Sequence, residues 1–400
     1  MRVRLGVVLF VLVLGGASLA GCSTAPAGAG GDGSLGGPSF APVQYHHVGP
    51  FGSPSLDDNA STAADIDGDG AVDVLTVAPW LGPTIQVVWG KGDGTFKDPG
   101  QGIIAGALNS NVIVGDWNAD GRPDLASTGA SSFTVVMNKG NRKFGVGSTY
   151  PLQQSPFQNT GTAADFDRDG LVDIALKTPL GVQVMLSDGD GRFTYGPFTR
   201  VPGFPGGITA LDDANFNGDN ARDLVVTDAA TQEVVSLIGD GWGGFTVQSR
   251  VKVPYVPSTV KAGDLNGSGF DSVVVLPEVN PADRSVASLL NDGAGNLSAP
   301  MYFAGGFANP NGDIGDFNGD GILDVLSVNV ASGELVILTG VGDGTFVNNG
   351  VFKTFFGVQT PALGDFNGDG RTDISVPLIC PNASAFIGQT CLGVLLNTTS

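Results

Sequence analysis

The stretch Asp65-Ile66-Asp67-Gly68-Asp69-Gly70-Ala71-Val72-Asp73, followed at once by Val74-Leu75-Thr76-Val77, decides the architecture. Acids at alternate positions, a glycine at the sixth and another acid at the ninth fold oxygens around one small volume, as the first half of a helix-flanked calcium loop does. Here no 3.6-residue apolar period follows. The β-branched and apolar run predicts that a strand leaves the loop instead. The pattern returns seven times, with first positions Asp65, Asp116, Asp165, Asn215, Asp264, Asp316 and Asp365. The spacings are 51, 49, 50, 49, 52 and 49 residues.

Between successive acidic loops the chain supplies a second apolar run, such as Ile85 to Trp89 or Val182 to Leu186. A Gly-rich tight turn then ends in an aromatic residue or Leu, as in Asp93-Gly94-Thr95-Phe96 and Asp343-Gly344-Thr345-Phe346. Such turns need positive φ and join hairpin strands. A third strand and a return to the next loop make four strands per unit. Tandem four-stranded units of about 50 residues are propeller blades, and an open solenoid is the alternative. The chain ends favour a ring. The last unit stops after its third strand at Leu395-Leu396-Asn397, while Phe40-Ala41-Pro42-Val43 precedes the first loop as a spare strand. The expected fold is all-β: a seven-bladed β-propeller over residues 40–397, closed by an N-terminal strand completing the C-terminal blade. Closure leaves no dangling edge.

The chain has 400 residues with 63 Gly and 24 Pro, which suits many turns and short strands. Its formal charge of −20 excludes nucleic acid as a partner, since phosphate binding needs clustered Lys and Arg. About half of the 39 acidic residues lie in the repeated loops, where a divalent ion would neutralise them. Residues 1–21 read as an export signal: Arg2 and Arg4, an apolar stretch from Leu5 to Leu14, then Leu19-Ala20-Gly21-Cys22. The apolar stretch is too short to span a bilayer. Residues 22–39 are Gly, Ala, Ser and Pro with little apolar bulk, the composition of a flexible tether.

The acidic loop, the strand after it and the Gly-Asp-Gly-x-Phe turn resemble the FG-GAP repeat of integrin α-subunit propellers and the related VCBS repeats of bacterial surface proteins. The N-terminus resembles a bacterial lipoprotein signal. That resemblance implies that Cys22 carries the lipid, and Ser23 beside it implies the outer membrane or cell surface. Ordinary cleavage after Ala20 is the alternative. If Cys22 is lipidated, Cys380 and Cys391 remain as an even pair in an oxidising compartment, either as a disulfide or as two buried thiols.

Five loops match the acidic pattern in full. Their side-chain ligands are Asp65, Asp67, Asp69 and Asp73; Asp116, Asn118, Asp120 and Asp124; Asp165, Asp167, Asp169 and Asp173; Asp316, Asn318, Asp320 and Asp324; and Asp365, Asn367, Asp369 and Asp373. Family resemblance adds a backbone carbonyl at the seventh position: Ala71, Arg122, Leu171, Ile322 and Arg371. Oxygen donors of this number suit about five structural Ca2+ ions better than Mg2+, which demands a stricter octahedron. The alternative is a hydrogen-bonded Asx turn without metal. The fourth loop, with Asn215, Asn217, Asp219 and Asp223 and with Asn220 at the glycine position, is a weaker site. The fifth, with Asp264, Asn266, Ser268 and Ser272, has one carboxylate among its ligand positions and is expected empty.

Resemblance to such propellers implies a calcium-stabilised binding or adhesion module at the cell surface, with an extracellular protein or glycan as partner and the membrane reached only through lipid at Cys22. A carbohydrate-binding lectin is the nearest alternative. Loops on the face opposite the acidic ones vary, as binding loops do. They carry Trp80, Phe157, Phe204, Tyr255 and Phe307, which either stack on a ligand or pack between blades. Catalysis has little basis in the sequence. The only histidines, His46 and His47, are adjacent on the closing strand, and no nucleophile elbow, zinc-binding His pair or phosphate loop is present. A lyase or hydrolase built from scattered loop residues is the remaining enzymatic alternative.

Overall fold

The computed structural model describes residues 37–47, 61–77, 84–97, 100–106, 111–129, 131–152, 161–278, 285–305, 310–329, 332–353, 360–379 and 390–399. These residues form seven four-stranded antiparallel sheets, and every regular element among them is a strand. The first blade comprises Ser61–Ala64, Asp73–Val77, Thr84–Val88 and Gln101–Ile104, paired in sequence order. Five more blades repeat that order. The seventh takes Ala362–Gly364, Asp373–Ile379 and Thr390–Leu395 from the C-terminus and Gln44–His47 from the N-terminus.

The closing strand sits a few residues later than Phe40-Ala41-Pro42-Val43. Its register runs from Gln44 opposite Val394 to His47 opposite Cys391. Phe40 still pairs with Asn397 through an isolated bridge, and Ala41 N donates to Leu396 O at 2.8 Å. Pro42 has no N–H to contribute to a ladder, which explains the break between bridge and strand.

The blades stand side by side around a ring of inner strands. Ser61–Ala64 touches both Asn111–Gly115 and Ala362–Gly364, and the inner strands through Pro310–Gly315 contact each other in succession. The middle strands are covered on both faces by neighbouring blades. Hence Asp73–Val77 and Thr84–Val88 are buried at every position, whereas the outer strand Phe245–Lys252 alternates inward and outward. Continuous apolar runs and alternating ones therefore report depth within the blade. The core is a set of clusters between blades: Leu75, Val77 and Ile85 of the first pack with Val112, Leu125 and Val136 of the second.

A ring of hydrogen bonds reinforces those clusters on the acidic-loop face. The residue at the second loop position is buried in all seven repeats: Ile66, Trp117, Phe166, Phe216, Leu265, Phe317 and Phe366. In every repeat its carbonyl accepts a hydrogen bond from the next blade around the ring. Turn glycines donate from the backbone in four cases: Gly94 to Phe366 O, Gly191 to Trp117 O, Gly243 to Phe166 O and Gly344 to Leu265 O. In the other three an asparagine amide at the end of the third strand does so: Asn138 to Ile66 O, Asn291 to Phe216 O and Asn397 to Phe317 O, each at 2.7 Å. Near the axis, Lys261 on the fifth inner strand pairs with Asp313 on the sixth at 3.0 Å, and Asp212 on the fourth accepts Ala262 N at 3.0 Å. Three blades are thus joined by charge as well as by packing.

Candidate metal centres

Each acidic loop connects the inner strand of its blade to the second strand, and its shape follows from side chains bonding their own backbone. In the first loop Asp65 Oδ1 accepts Gly68 N at 2.8 Å and Asp69 N at 3.2 Å, while Oδ2 accepts Gly70 N at 2.9 Å. Asp67 Oδ1 accepts Asp69 N at 3.1 Å, and Asp69 Oδ1 accepts Ala71 N at 3.0 Å. These nested Asx turns require left-handed residues. Gly68 and Gly70 supply them at φ of 76° and 87°, with open space around both, so glycine serves conformation there and not packing. Asn220 holds the corresponding position of the fourth loop at φ 68°.

The ninth residue does different work. Asp73, Asp124, Asp173, Asp223, Asp324 and Asp373 are fully buried. One oxygen of each accepts the N–H of the second loop residue, as in Asp173 Oδ2 with Phe166 N at 3.0 Å. The other accepts an N–H at the end of the third strand, as in Asp173 Oδ1 with Ser187 N at 2.9 Å. Every such carboxylate ties loop, second strand and third strand together. Burial pushes Asp173 and Asp324 up to about 7, and Asp73, Asp124 and Asp373 up to about 6, with repulsion from the loop's other acids adding to it.

Two loops concentrate carboxylates enough to hold a metal ion. Oxygens of Asp65, Asp67 and Asp73 lie within 4.8 Å of one another, and so do those of Asp165, Asp167 and Asp173. The donor set, all oxygen with three clustered carboxylates and a fourth acid in each loop, fits a hard divalent cation. In the second, sixth and seventh loops the third position is Asn118, Asn318 or Asn367, and the acids number three. At the seventh position the N–H groups of Ala71, Arg122, Leu171, Ile322 and Arg371 donate to the fifth-position acids Asp69, Asp120, Asp169, Asp320 and Asp369.

The fourth and fifth loops are wired to each other. Asp271, at the eighth position of the fifth loop, accepts Asn215 N at 2.7 Å and donates its own N–H to Asn215 O at 2.9 Å. Ser272 Oγ stands where the buried acid would be and accepts Asn291 N at 3.2 Å. Arg168 of the third loop donates to Asp219 O at 3.0 Å and Asp219 Oδ1 at 3.3 Å, placing a guanidinium on the fourth loop. In the first loop Arg142 occupies the same kind of place: its Nε donates to Asp67 Oδ2 at 2.5 Å, with Asp69 at 3.5 Å. Motif reading misses Arg142, Arg168 and Asp271. Their signals are a charged residue where most other turns carry glycine, and an acid one place early.

Phe204 and Tyr255 are buried rather than offered on a surface. Phe204 lies beneath the Arg250 guanidinium at 5.3 Å, and Tyr255 donates its hydroxyl to Val275 O at 3.1 Å. A ligand would reach neither ring without parting the blades. Trp80, Phe157, Phe307, Cys22 and Cys380 lie outside the described residues. Cys391 is buried and disulfide-bonded. His46 packs edge-on against Phe96 with ring centroids 5.3 Å apart.

Fold and loops together define a closed propeller with an acidic ring on one face. The chain carries FG-GAP-like repeats at residues 65–127, 116–176 and 316–376, and these repeats within a seven-bladed propeller support an FG-GAP propeller protein. Its fold resembles that of an Agrocybe aegerita lectin described as recognising non-reducing terminal N-acetylglucosamine, at 18% identity and a TM-score of 0.55, over 86% of each chain. It also resembles BBS1N, solved in complex with ARL6DN, at 10% identity and a TM-score of 0.57, over 86% of this chain and 94% of that one. At such identities the likeness is one of fold alone. No curated protein matches this chain in sequence.

Proposed function

We propose that this protein is a calcium-stabilised binding module, exported and lipid-anchored through Cys22 at the cell surface, which grips an extracellular protein or glycan and performs no chemistry of its own. The repeat's polar groups support the reading, since they are committed to the ring: buried acids clamp strands and second-position carbonyls join blades. Recognition then falls to what the repeat leaves outside. The observation that carries the proposal is Trp242. It replaces the acid of the Gly-Asp-Gly turns at the tip of the fourth blade and is 76% exposed. A bare indole on a rigid turn is the side chain that stacks on sugar rings or anchors a protein interface. Proteins of like fold are described with both classes of ligand, a terminal N-acetylglucosamine and a protein partner.

Profiling the lipid-free protein on a glycan array, beside capture from extracellular protein extracts, distinguishes the two classes. Trp242→Ala is expected to lower affinity for the captured ligand at least tenfold while leaving the melting temperature within a degree or two. Unchanged affinity would remove the indole from the site.

A further inference from the structure

The first and third loops carry the same four acids at the same positions, yet their charge environments differ. Around the first loop, Arg142 lies on Asp67 and Lys97 pairs with Asp69 at 3.3 Å. Around the third, no ion pair to Asp165, Asp167 or Asp169 is present among the described residues, and the loop's own Arg168 points away to Asp219. Arg142 comes from the tight turn of the second blade, Gly140-Asn141-Arg142-Lys143-Phe144. Its place is that of Gly94, Gly191, Gly243 and Gly344, whose N–H groups bond the preceding loop. Arg142 holds φ 59° there, a conformation that a side chain makes costly. Asn138 makes the inter-blade bond to Ile66 O that the backbone N–H at this place makes in those four turns. The guanidinium is braced over the Trp89 ring at 4.6 Å, and the turn is held by Gln101 Nε2 donating to Arg142 O at 3.0 Å.

We infer that Arg142 is the built-in cation of the first loop, so that a divalent ion enters this loop only by displacing it, and the first loop fills after the third. This inference rests on the reading that the full loops bind calcium. The Asp67 oxygen that faces the guanidinium belongs to one of the three carboxylates brought within reach of a single ion. Two cations held against one shielded carboxylate repel, and calcium must also draw ligand oxygens to 2.3–2.6 Å. With calcium absent, the arginine offsets the mutual repulsion of the four acids. Once calcium is bound, the side chain is released and the tie between the first and second blades loosens at that point.

Calcium titration calorimetry on chelator-treated wild type, Arg142→Gln and Arg142→Lys tests this, with melting curves taken with and without calcium. Gln keeps the strained backbone and an N–H donor at the place of the arginine Nε, the atom that bonds Asp67, but loses the charge. In wild type two affinity classes are expected. In Arg142→Gln one weak site should tighten by about ten- to a hundredfold, and Arg142→Lys should fall between. The metal-free melt of Arg142→Gln should drop and recover at saturating calcium. An Arg142→Gln isotherm that overlays wild type, or one that weakens, overturns the inference while leaving calcium binding intact. A wild type that binds no calcium at millimolar supply overturns the underlying reading instead.

Discussion

Two acids six residues apart in the third loop have opposite duties when no ion is bound. Asp173 spends both oxygens on buried N–H groups, those of Ser187 and Phe166. Asn in its place offers one acceptor and turns an amide toward the other N–H, leaving a buried donor unsatisfied, which costs about 1–3 kcal/mol. Asp167 instead accepts one N–H, from Asp169 at 3.2 Å, and burial together with repulsion from Asp169 and Asp165 raises its pKa. Asp167→Asn keeps that acceptor and removes a repelling charge. In chelator we therefore expect Asp173→Asn to lower the denaturant midpoint clearly and Asp167→Asn to leave it level or raise it. Equal losses for both would mean that the ninth-position acid is no clamp.

At the level of strands and turns, the sequence was legible where one physical demand repeats. Seven acidic loops, the apolar runs after them and the Gly-rich turns of the first six blades each answer one repeated constraint, so pattern alone places them. What stayed hidden is what breaks the repeat. Asp271 lies one position from the expected ligand, and only the neighbouring blade reveals that it serves Asn215. Arg142 reads as a defective turn until its partner 75 residues away is in view. For Phe204 and Tyr255 the sequence left stacking on a ligand and packing between blades both open, and their burial decides for packing. Glycines, too, look alike in sequence and differ in space. Gly344 at φ 83° has Leu290 of the preceding blade 2.4 Å from where a Cβ would stand, whereas Gly68 at φ 76° has nothing near. Gly68→Ala should cost roughly 1 kcal/mol from backbone strain. Gly344→Ala should cost somewhat more, roughly 1–3 kcal/mol, because the Leu290 side chain must also turn aside at a turn whose N–H bonds Leu265 O. Denaturant melts of the two variants rank them, and parity would show that the blade interface yields to a methyl group.

For the ring as a whole, the buried acids link stability to pH with a sign that calcium should reverse. Their folded values of about 6 to 7 lie above the ordinary 3.8, so between these limits the folded protein binds protons that the unfolded chain does not. Stability then falls as pH rises through that window, because each acid must ionise inside the fold. Calcium takes the ionised form, so its binding strengthens over the same interval, and each filled site adds about 4 kcal/mol at a thousandfold excess over its dissociation constant. Metal-free protein is accordingly expected to melt several degrees higher at pH 5 than at pH 7.5, and protein in millimolar calcium to melt higher at pH 7.5. Scanning calorimetry at both pH values, with chelator and with calcium, reads the crossing directly. A metal-free melt that climbs from pH 5 to 7.5 would mean that the clamps are held ionised at no cost to the fold. Curves that ignore calcium at pH 7.5 would mean that the acidic face is an array of Asx turns and nothing more.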